Sequence, residues 1–347
     1  MKRHLLFLAA LLIVNLAASA QKKFSVYAVG FYNQENLFDT CHDEGKKDYE
    51  YLPNKGWNGM KYTNKLRNMS KALADMGTDV LPNVGCAFIG LSEVENHKVL
   101  DALVDQAPLK ARNMKYVHIE GPDRRGIDCA LLYNPSLFSV KNVKLLPYVQ
   151  ELAKDSAFFT RGFLTVRGEM AGDDVAVIVC HWPSRFSGSF YRESGARQTK
   201  VVKDSLLRLN PEMKVFVMGD MNDDPTDASM HKVLKAKAEI SEVGADDMYN
   251  PWYNILAKEG KGTLFYSGSW NLFDQIVITP NLLNRDGKNK DYSSLKFWKN
   301  HIFRRDYLIQ QEGQYKGAPL RTKAGGRWLN GYSDHLPVVM YLVKEKK

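Results

Sequence analysis

Six apolar stretches of this 347-residue chain end in carboxylate, amide or imidazole side chains, the groups that bind metal ions and transfer protons. Carboxylates that converge away from water repel one another and lose hydration, so several of them meet only where a cation compensates their charge. Oxygen ligands favour Mg²⁺, Mn²⁺ or Ca²⁺ over zinc. Functional sites are often built where loops leave a layered sheet. The six polar ends are Asn33 to Asp39, Ser92 to Asn96, His181, Gly219 to Asp224, Asp274 and Ser333 to His335.

Each polar end taken alone has an ordinary structural explanation. A single glutamate after a strand commonly caps a helix, and a histidine such as His181, beside a cysteine, commonly lies in the core. Six ends of this composition, spread over the whole chain, favour one shared site. Asp220 and Asn222 are two residues apart on an extended segment, so they point to the same side and can face one ligand. Asp223 and Asp224 precede Pro225 and are expected to cap the following helix.

The elements that must position these ends alternate between strands and helices, without repeats or low-complexity segments. Helices are predicted over 61–76, 98–104 and 191–207, and this alternation indicates one layered α/β or α+β domain. The polar, basic stretch 281–330 is predicted to form long loops near the last polar end. Short apolar runs predict strands over 24–32, 86–91, 127–133, 138–143, 163–167, 175–180, 215–218, 273–278 and 338–342.

The first twenty residues have the pattern of a secretory signal. Lys2 and Arg3 precede an apolar run from 5 to 18, and Ala18-Ser19-Ala20 supplies the small residues of a cleavage site. The run is shorter than the roughly 20 apolar residues that span a bilayer, which disfavours a retained anchor. The sequence therefore predicts a signal peptide over 1–20 and a mature domain over 21–347, exported to the periplasm or the medium.

Four sequence blocks carry a resemblance that is more specific than the polar ends alone. NQENLFD (33–39), LSEVEN (91–96), GDMNDDP (219–225) and YSDHLP (332–337) occur in this order. They resemble the signature blocks of the endonuclease/exonuclease/phosphatase superfamily, which includes deoxyribonuclease-like enzymes, inositol-polyphosphate phosphatases and sphingomyelinases. The resemblance implies a metal-dependent phosphoester hydrolase. It also implies a four-layer sandwich, in which two mainly antiparallel β-sheets pack face to face and are flanked by helices.

The resemblance implies which residues hold the metal ion. Glu93 is the principal ligand, Asp334 assists it, and Asn33 and Glu35 contribute directly or through the surrounding shell. Glu95 has similar spacing, but Glu93 directly follows the strand, as the family glutamate does. The implied ion is Mg²⁺, with Mn²⁺ or Ca²⁺ as alternatives, because Mg²⁺ takes only one or two protein carboxylates together with phosphate oxygens.

The resemblance also implies the residues that act on the phosphoryl group. Asp220 orients or deprotonates the attacking water, and Asn222 holds a phosphate oxygen. His335 acts as a general base or contacts the phosphate, and Asp274 orients its imidazole. His181 stabilises charge in the transition state, with a core role as the alternative. The implied mechanism is a single in-line attack by water, without a covalent intermediate.

Two arginines are candidate phosphate contacts. Arg125 precedes a predicted strand and either clamps a phosphate or pairs with Asp128. Arg185 follows the His181 strand and is expected to line a phosphate path. The nearby Arg192 and Arg197 either line a phosphate path or are solvated positions on a helix.

The substrate is the least determined property of the chain. Removing Lys2 and Arg3 leaves 46 basic against 39 acidic residues, a net charge of +7, which suits a polyanion without requiring one. Aromatic and basic side chains alternate in 281–330, as in segments that bind nucleic acid or a lipid surface, or in an ordinary loop. A nuclease acting on nucleic acid is favoured. A sphingomyelinase-like lipid phosphodiesterase, a phosphatase acting on phosphorylated small molecules, and a non-catalytic binding protein are alternatives. No stable protein partner is implied.

Overall fold

The fold is built on two β-sheets of six and seven strands, each with one parallel pair near its centre. The computed structural model describes residues 23–152, 158–285 and 290–346. The predicted signal peptide lies outside these residues. No helix within them is long and apolar enough to cross a membrane.

The first sheet has the strand order β14-β17-β1-β2-β4-β3. Its β1 and β2 run parallel, and the remaining neighbours are antiparallel. Its strands are β1 (Phe24–Leu37), β2 (Cys86–Val94), β3 (Lys115–His118), β4 (Asp128–Tyr133), β14 (Lys296–Ile302) and β17 (Val338–Glu345).

The second sheet has the order β5-β6-β7-β8-β13-β10-β9, with β7 and β8 as its central parallel pair and β9 and β10 as a short parallel pair at its edge. Its strands are β5 (Phe138–Leu146), β6 (Phe163–Met170), β7 (Asp173–His181), β8 (Lys214–Asp220), β9 (Ala236–Lys237), β10 (Met248–Tyr249) and β13 (Asp274–Ile278). Two small hairpins stand outside both sheets, formed by β11 (Leu264–Tyr266) with β12 (Ser269–Asn271) and by β15 (Lys323–Ala324) with β16 (Arg327–Trp328).

Helices cover the outer faces of the two sheets. On the first sheet, α1 (Gly59–Asp75), α2 (His97–Val104) and α3 (Ala107–Ala111) pack against the outward-facing side chains of β1 and β2. On the second sheet, α4 (Ser189–Leu209) covers β7 and β8. The remaining helical segments are α5 (Tyr253–Ala257), the π-helical turn Ser229–Val233 and 3-10 turns at Tyr49–Tyr51, Pro53–Lys55, Arg185–Ser187, Ile240–Glu242, Pro280–Leu282 and Asp306–Leu308.

The core lies between the sheets and follows the two-residue period of the strands. Val29 and Phe31 of β1 point inward to meet Phe216 and Met218 of β8, while Tyr32 points outward to the α1 layer. Both faces of the central strands are therefore buried, which explains their nearly continuous apolar sequences. The predicted four-layer sandwich is confirmed.

Strand direction brings the polar ends to one edge of the sandwich. The parallel pair β7 and β8 places His181 beside Asp220, and antiparallel β13 places Asp274 beside Asp220 from the other side. Gly219 permits this close approach, because a Cβ atom there would lie 2.2 Å from the carbonyl oxygen of Cys180. In the first sheet, β1 and β2 end at this edge and β17 begins there.

Two expectations from the sequence are wrong. The stretch 281–330 is not only loops, because Lys296–Ile302 forms an edge strand against β17. Asp223 and Asp224 do not cap a helix: the π-helical turn that follows has no side-chain cap. Asp223 instead bonds Arg192 and Ser229, and Asp224 accepts the backbone N–H of Leu272. All four cysteines are free, and those at positions 86, 129 and 180 are buried, as expected of structural residues.

Candidate active site

The end of β1 joins the two sheets through one side chain. The amide nitrogen of Asn33 donates to Oδ2 of Asp220 at 3.0 Å, and its Oδ1 accepts the backbone N–H of Glu35 at 2.8 Å. Asn33 is buried, so both polar atoms depend on these partners. Asn33 therefore fixes the position of Glu35, a predicted metal ligand, relative to Asp220, which is predicted to act on the attacking water.

Glu93 lies at the centre of the group and has a strained backbone. Its φ of +59° falls in the left-handed region, as do those of Glu35, Asn36 and Asn222 nearby. Such conformations cost about 1–3 kcal/mol and collect at functional sites. With this backbone conformation the Glu93 carboxylate points inward. Its Oε2 accepts the N–H of Asn36 at 2.9 Å, and its Oε1 lies 3.9 Å from Nε2 of His181.

Glu95, the alternative ligand, lies apart from the group. Its carboxylate accepts the backbone N–H of Asp39 at 2.7 Å. Burial raises the pKa of Glu95 to about 8. It therefore supports the loop after β1.

Three titratable side chains form a chain across the second half of the site. Nδ1 of His335 lies 2.7 Å from Oδ2 of Asp274, and its Nε2 lies 3.9 Å from Oδ2 of Asp220. Burial opposes the charged form of His335, but the carboxylates of Asp274, Asp220 and Asp334 outweigh it and raise the pKa of His335 well above its ordinary value. Burial raises the pKa of Asp220 to about 6, while His335 opposes that rise. At neutral pH the pair is therefore an imidazolium beside a carboxylate.

His181 and Asn222 complete the group from the second sheet. Nε2 of His181 lies 3.6 Å from Asp220, and Nδ1 has no hydrogen-bond partner among the described residues. Burial and the charges of Arg161, Arg125 and His335 lower the pKa of His181 well below its ordinary value, so this imidazole is neutral. The backbone N–H of Asn222 binds Oδ1 of Asp220 at 2.9 Å.

Glu35 and Asp334 form a carboxylate pair that basic residues partly compensate. Nη2 of Arg321 lies 3.0 Å from Asp334, and its Nε lies 3.3 Å from Glu35. Burial and the Asp334 carboxylate raise the pKa of Glu35 to about 7, although Lys65 opposes this rise. The buried Lys65 ammonium donates to Oγ1 of Thr322 at 2.6 Å, and the Thr322 N–H donates to Glu35 at 2.6 Å. Sequence reasoning missed Lys65 and Thr322, and it placed Arg321 only among the basic residues of a loop.

The donor set of the first half of the site fits a divalent cation. Glu35, Glu93, Asp334 and Asn33 supply only oxygen ligands, which suits Mg²⁺, Mn²⁺ or Ca²⁺. Burial is the largest cause of the raised pKa of Glu35, and repulsion from the Asp334 carboxylate adds to it; a cation would relieve that repulsion.

A second cluster of possible metal ligands lies elsewhere. Donor atoms of His118, Glu120 and Asp128 lie within 4.8 Å of one another. The ammonium of Lys46 lies 3.4 Å from Glu120, however, and the Gly121 N–H donates to Asp128. Through these contacts the cluster supports the loop leading to Arg125.

The two candidate phosphate arginines have different positions. Nη2 of Arg125 lies 3.6 Å from Glu93, inside the group, and Arg125 does not pair with Asp128. Arg185 lies outside the group and bonds Asp224, Asp227 and Asn271. Its guanidinium is occupied by local partners.

Two depressions open from the predicted catalytic residues. One has a volume of about 660 Å³ and the other about 350 Å³. The larger is lined by Glu35, Asn36, Phe38, Lys47, Glu50, Tyr51, Glu93, Arg125, Arg321, Lys323 to Gly326, Asp334 and His335. The smaller is lined by Ser184, Arg185, Phe186, Asn222, Leu264, Tyr266, Asn271 and Phe273.

Comparison with known protein families identifies this architecture. The family model described as "Endonuclease/Exonuclease/phosphatase family" matches residues 28–344. The chain belongs to this family. Hydrolysis of phosphoester bonds is its class of activity, and its members generally use divalent metal ions. No curated protein sequence matches the chain.

Solved structures share the fold at low sequence identity. D. rerio TDP2 complexed with single strand DNA product is 14% identical, with a TM-score of 0.53, covering 92% of this chain and 99% of that one. The mannosyl-6-phosphatase Bt3783 of Bacteroides thetaiotaomicron VPI-5482 is 14% identical, with a TM-score of 0.55, covering 91% and 99%. An endonuclease/exonuclease/phosphatase family protein from Bacteroides thetaiotaomicron is also 14% identical, with a TM-score of 0.55, covering 93% and 97%.

Proposed function

We propose that this protein is a metal-dependent phosphodiesterase that hydrolyses nucleic acid by in-line attack of water. The observation that carries the proposal is that the predicted catalytic group opens into two depressions. His335 and Glu93 line the larger one, and Asn222 lines the smaller one. A phosphodiester has a substituent on each side of phosphorus, and this arrangement gives both substituents room. A phosphomonoester would need only one of the two.

The protonation states divide the chemistry among the side chains. Asp220 is ionised at neutral pH and accepts the proton of the attacking water. His335, held as an imidazolium by Asp274, donates to a phosphoryl oxygen and stabilises its growing negative charge. The neutral His181 and the amide of Asn222 orient the other oxygens. Glu93, Asp334, Glu35 and Asn33 would hold Mg²⁺, Mn²⁺ or Ca²⁺, which would stabilise charge on the leaving oxygen until that oxygen takes a proton from solvent water.

The larger depression offers basic side chains to a polyanion. Lys47, Arg125, Arg321 and Lys323 line it together with four carboxylates, so its formal charge is balanced, and an imidazolium at His335 or a bound divalent cation would make it positive. Arg125 and Arg321 lie next to those carboxylates, and Lys323 forms a 2.9 Å ion pair with Glu50 at the wall. A nucleic acid strand offers further phosphates to these groups beyond the one that is cleaved.

The proposal includes export of the protein. The support is the signal-like pattern of residues 1–20, with cleavage between Ala20 and Gln21. An exported nuclease would act on nucleic acid outside the cytoplasm. Mass spectrometry of the protein from the periplasm or medium should find Gln21 as its first residue, whereas an intact N-terminus on cytoplasmic protein would refute export.

One substrate comparison tests the activity. The purified protein is incubated with Mg²⁺, Mn²⁺ or Ca²⁺ and one of four substrates: plasmid DNA, RNA, sphingomyelin vesicles or a soluble inositol polyphosphate. We expect hydrolysis of nucleic acid that EDTA abolishes and that His335→Ala lowers by about 10²–10⁴-fold. His301→Ala is the matched control, because His301 pairs with Asp79 at 3.0 Å on β14, away from the site. Hydrolysis of only the lipid or the phosphomonoester would refute the substrate, and no hydrolysis at all would favour a binding protein.

A further inference from the structure

The smaller depression differs in chemistry from the larger one, which charged side chains of both signs line. Phe186 and Tyr266 both line it and are 97% and 64% exposed. Single exposed aromatic residues are common on protein surfaces. Here two exposed aromatic residues line one depression and form an apolar surface. The predicted catalytic Asn222 also lines it, so this surface lies next to the proposed position of the scissile phosphate.

The walls of this depression are held in place by ion pairs. Arg185 lies 4.5 Å over the ring of Phe273 and bonds Asp224 at 2.9 Å and Asp227 at 2.8 Å. The turn Arg185–Ser187 carries Phe186, and the hairpin of β11 and β12 carries Tyr266. Nη1 of Arg185 also donates to Asn271 of that hairpin, so one guanidinium links the segments bearing the two aromatic side chains.

The lining of the depression offers no unpaired charge to a phosphate or an anionic lipid surface. Its one charged side chain is Arg185, and this guanidinium already bonds Asp224, Asp227 and Asn271. The depression therefore has no free cation with which to hold an anion. Its occupant is the uncharged part of the substrate, and a planar group suits two aromatic rings.

We propose that Phe186 and Tyr266 stack on an unpaired nucleobase next to the scissile phosphate, so that the enzyme prefers single-stranded nucleic acid. The inference rests on the proposed function. A base of a single strand can stack on an aromatic side chain without the cost of unpairing, which a base within a duplex must pay. The phosphates on the other side of the cleaved bond extend into the larger depression, towards its lysine and arginine side chains.

The test compares cleavage of one oligonucleotide as a single strand, as a duplex, and as a single strand with abasic nucleotides flanking the cleaved bond. We expect wild type to cleave the normal single strand fastest. Phe186→Ala and Tyr266→Ala should each lower kcat/KM on that substrate by roughly tenfold. On the abasic strand, wild type and both variants should be equally slow, because the stacking partner is missing. Phe186→Trp should retain the rate.

Phe24→Ala is the matched control. Phe24 is 41% exposed and begins β1, roughly 30 Å of extended chain before Asn33 at about 3.3 Å per residue. Because Phe186 is almost fully exposed, its substitution should leave the thermal unfolding midpoint unchanged. The inference is overturned if both alanine variants cleave the single strand like wild type, or if they slow single strand and duplex equally. The inference would also be overturned if the two alanine variants lost binding to sphingomyelin vesicles and kept normal cleavage of the oligonucleotides. Failure of wild type to cleave any nucleic acid would refute the proposed function itself.

Discussion

Replacing Asp274 with asparagine should shift the pH dependence of hydrolysis. In the proposed mechanism the reaction needs Asp220 ionised and His335 protonated. Activity should fall below about pH 6, where Asp220 takes up a proton, and again above the pKa of His335. Asp274 is a principal cause of that raised pKa. Asp274→Asn should therefore move the alkaline limb of the profile to lower pH.

The size of the effect follows from the geometry. Two unit charges at the 2.7 Å separation of His335 and Asp274 interact by about 6 kcal/mol at an effective dielectric constant of 20. The amide retains a hydrogen bond, and Asp220 remains 3.9 Å from the imidazole, so only part of this interaction is lost and the pKa of His335 falls. Because about 1.4 kcal/mol already changes the protonated fraction tenfold, kcat/KM at the alkaline end should fall at least tenfold relative to wild type.

The assay is kcat/KM for a single-stranded oligonucleotide from pH 5 to 10 at saturating Mg²⁺. The control is Asp79→Asn, which removes the carboxylate from the His301 pair on β14. Removing one partner of a buried ion pair is destabilising, so each profile is confined to the range in which far-ultraviolet circular dichroism shows folded protein. An unshifted alkaline limb, or a loss of equal size at every pH, would refute the assignment of His335 as an imidazolium held by Asp274.

Two further substitutions test the first half of the site. Glu93→Gln should raise the Mg²⁺ concentration needed for half-maximal activity at least tenfold, while Glu95→Gln, whose carboxylate binds the Asp39 N–H, should leave it within about twofold. Lys65→Met should lower the free energy of unfolding by about 1–3 kcal/mol, because Oγ1 of Thr322 loses its donor and the Tyr332 carbonyl keeps only the 3.2 Å bond from Thr322. It should also weaken activation by Mg²⁺, because without Lys65 the pKa of Glu35 rises further and its protonated form is a poor ligand. The control is Lys203→Met, because Lys203 is also a buried lysine but lies on α4. It should destabilise the fold without changing the Mg²⁺ concentration needed for activity, and equal Mg²⁺ activation of the two variants would contradict the role of Lys65.

The strands could be predicted from the sequence because their residues are buried on both faces. Apolar runs such as Cys86–Leu91 and Val215–Met218 have no polar alternation, and their polar ends mark where each strand reaches the edge of the sandwich. The strand Lys296–Ile302 was missed because it lies at the edge of its sheet and reads KFWKNHI. Lysine, asparagine and histidine are tolerated there, so its sequence resembles that of a loop.

The basic residues of the site were harder to identify because their roles depend on distant partners. Lys65 lies within an ordinary amphipathic helix, and only the fold brings its ammonium to Thr322, 257 residues away. Arg185 and Arg321 are indistinguishable by sequence environment. One is bound by three groups outside the site, and the other reaches Glu35 and Asp334. The residue type suggests that an arginine could contact phosphate, but it does not show whether that guanidinium is already paired with carboxylates of the protein.

The contacts within the site explain why the two sheets must pack closely. Asn33 bonds Asp220, His335 bonds Asp274, and Glu93 faces His181, so each pair takes one residue from the first sheet or its flanking segment and one from the second. Any change in the spacing of the sheets alters all three distances together. The inward-facing residues between the sheets therefore determine the geometry of the site as well as the stability of the fold. Gly90 shows how small the tolerance is, because a Cβ atom there would lie 2.7 Å from the sulfur of Met218.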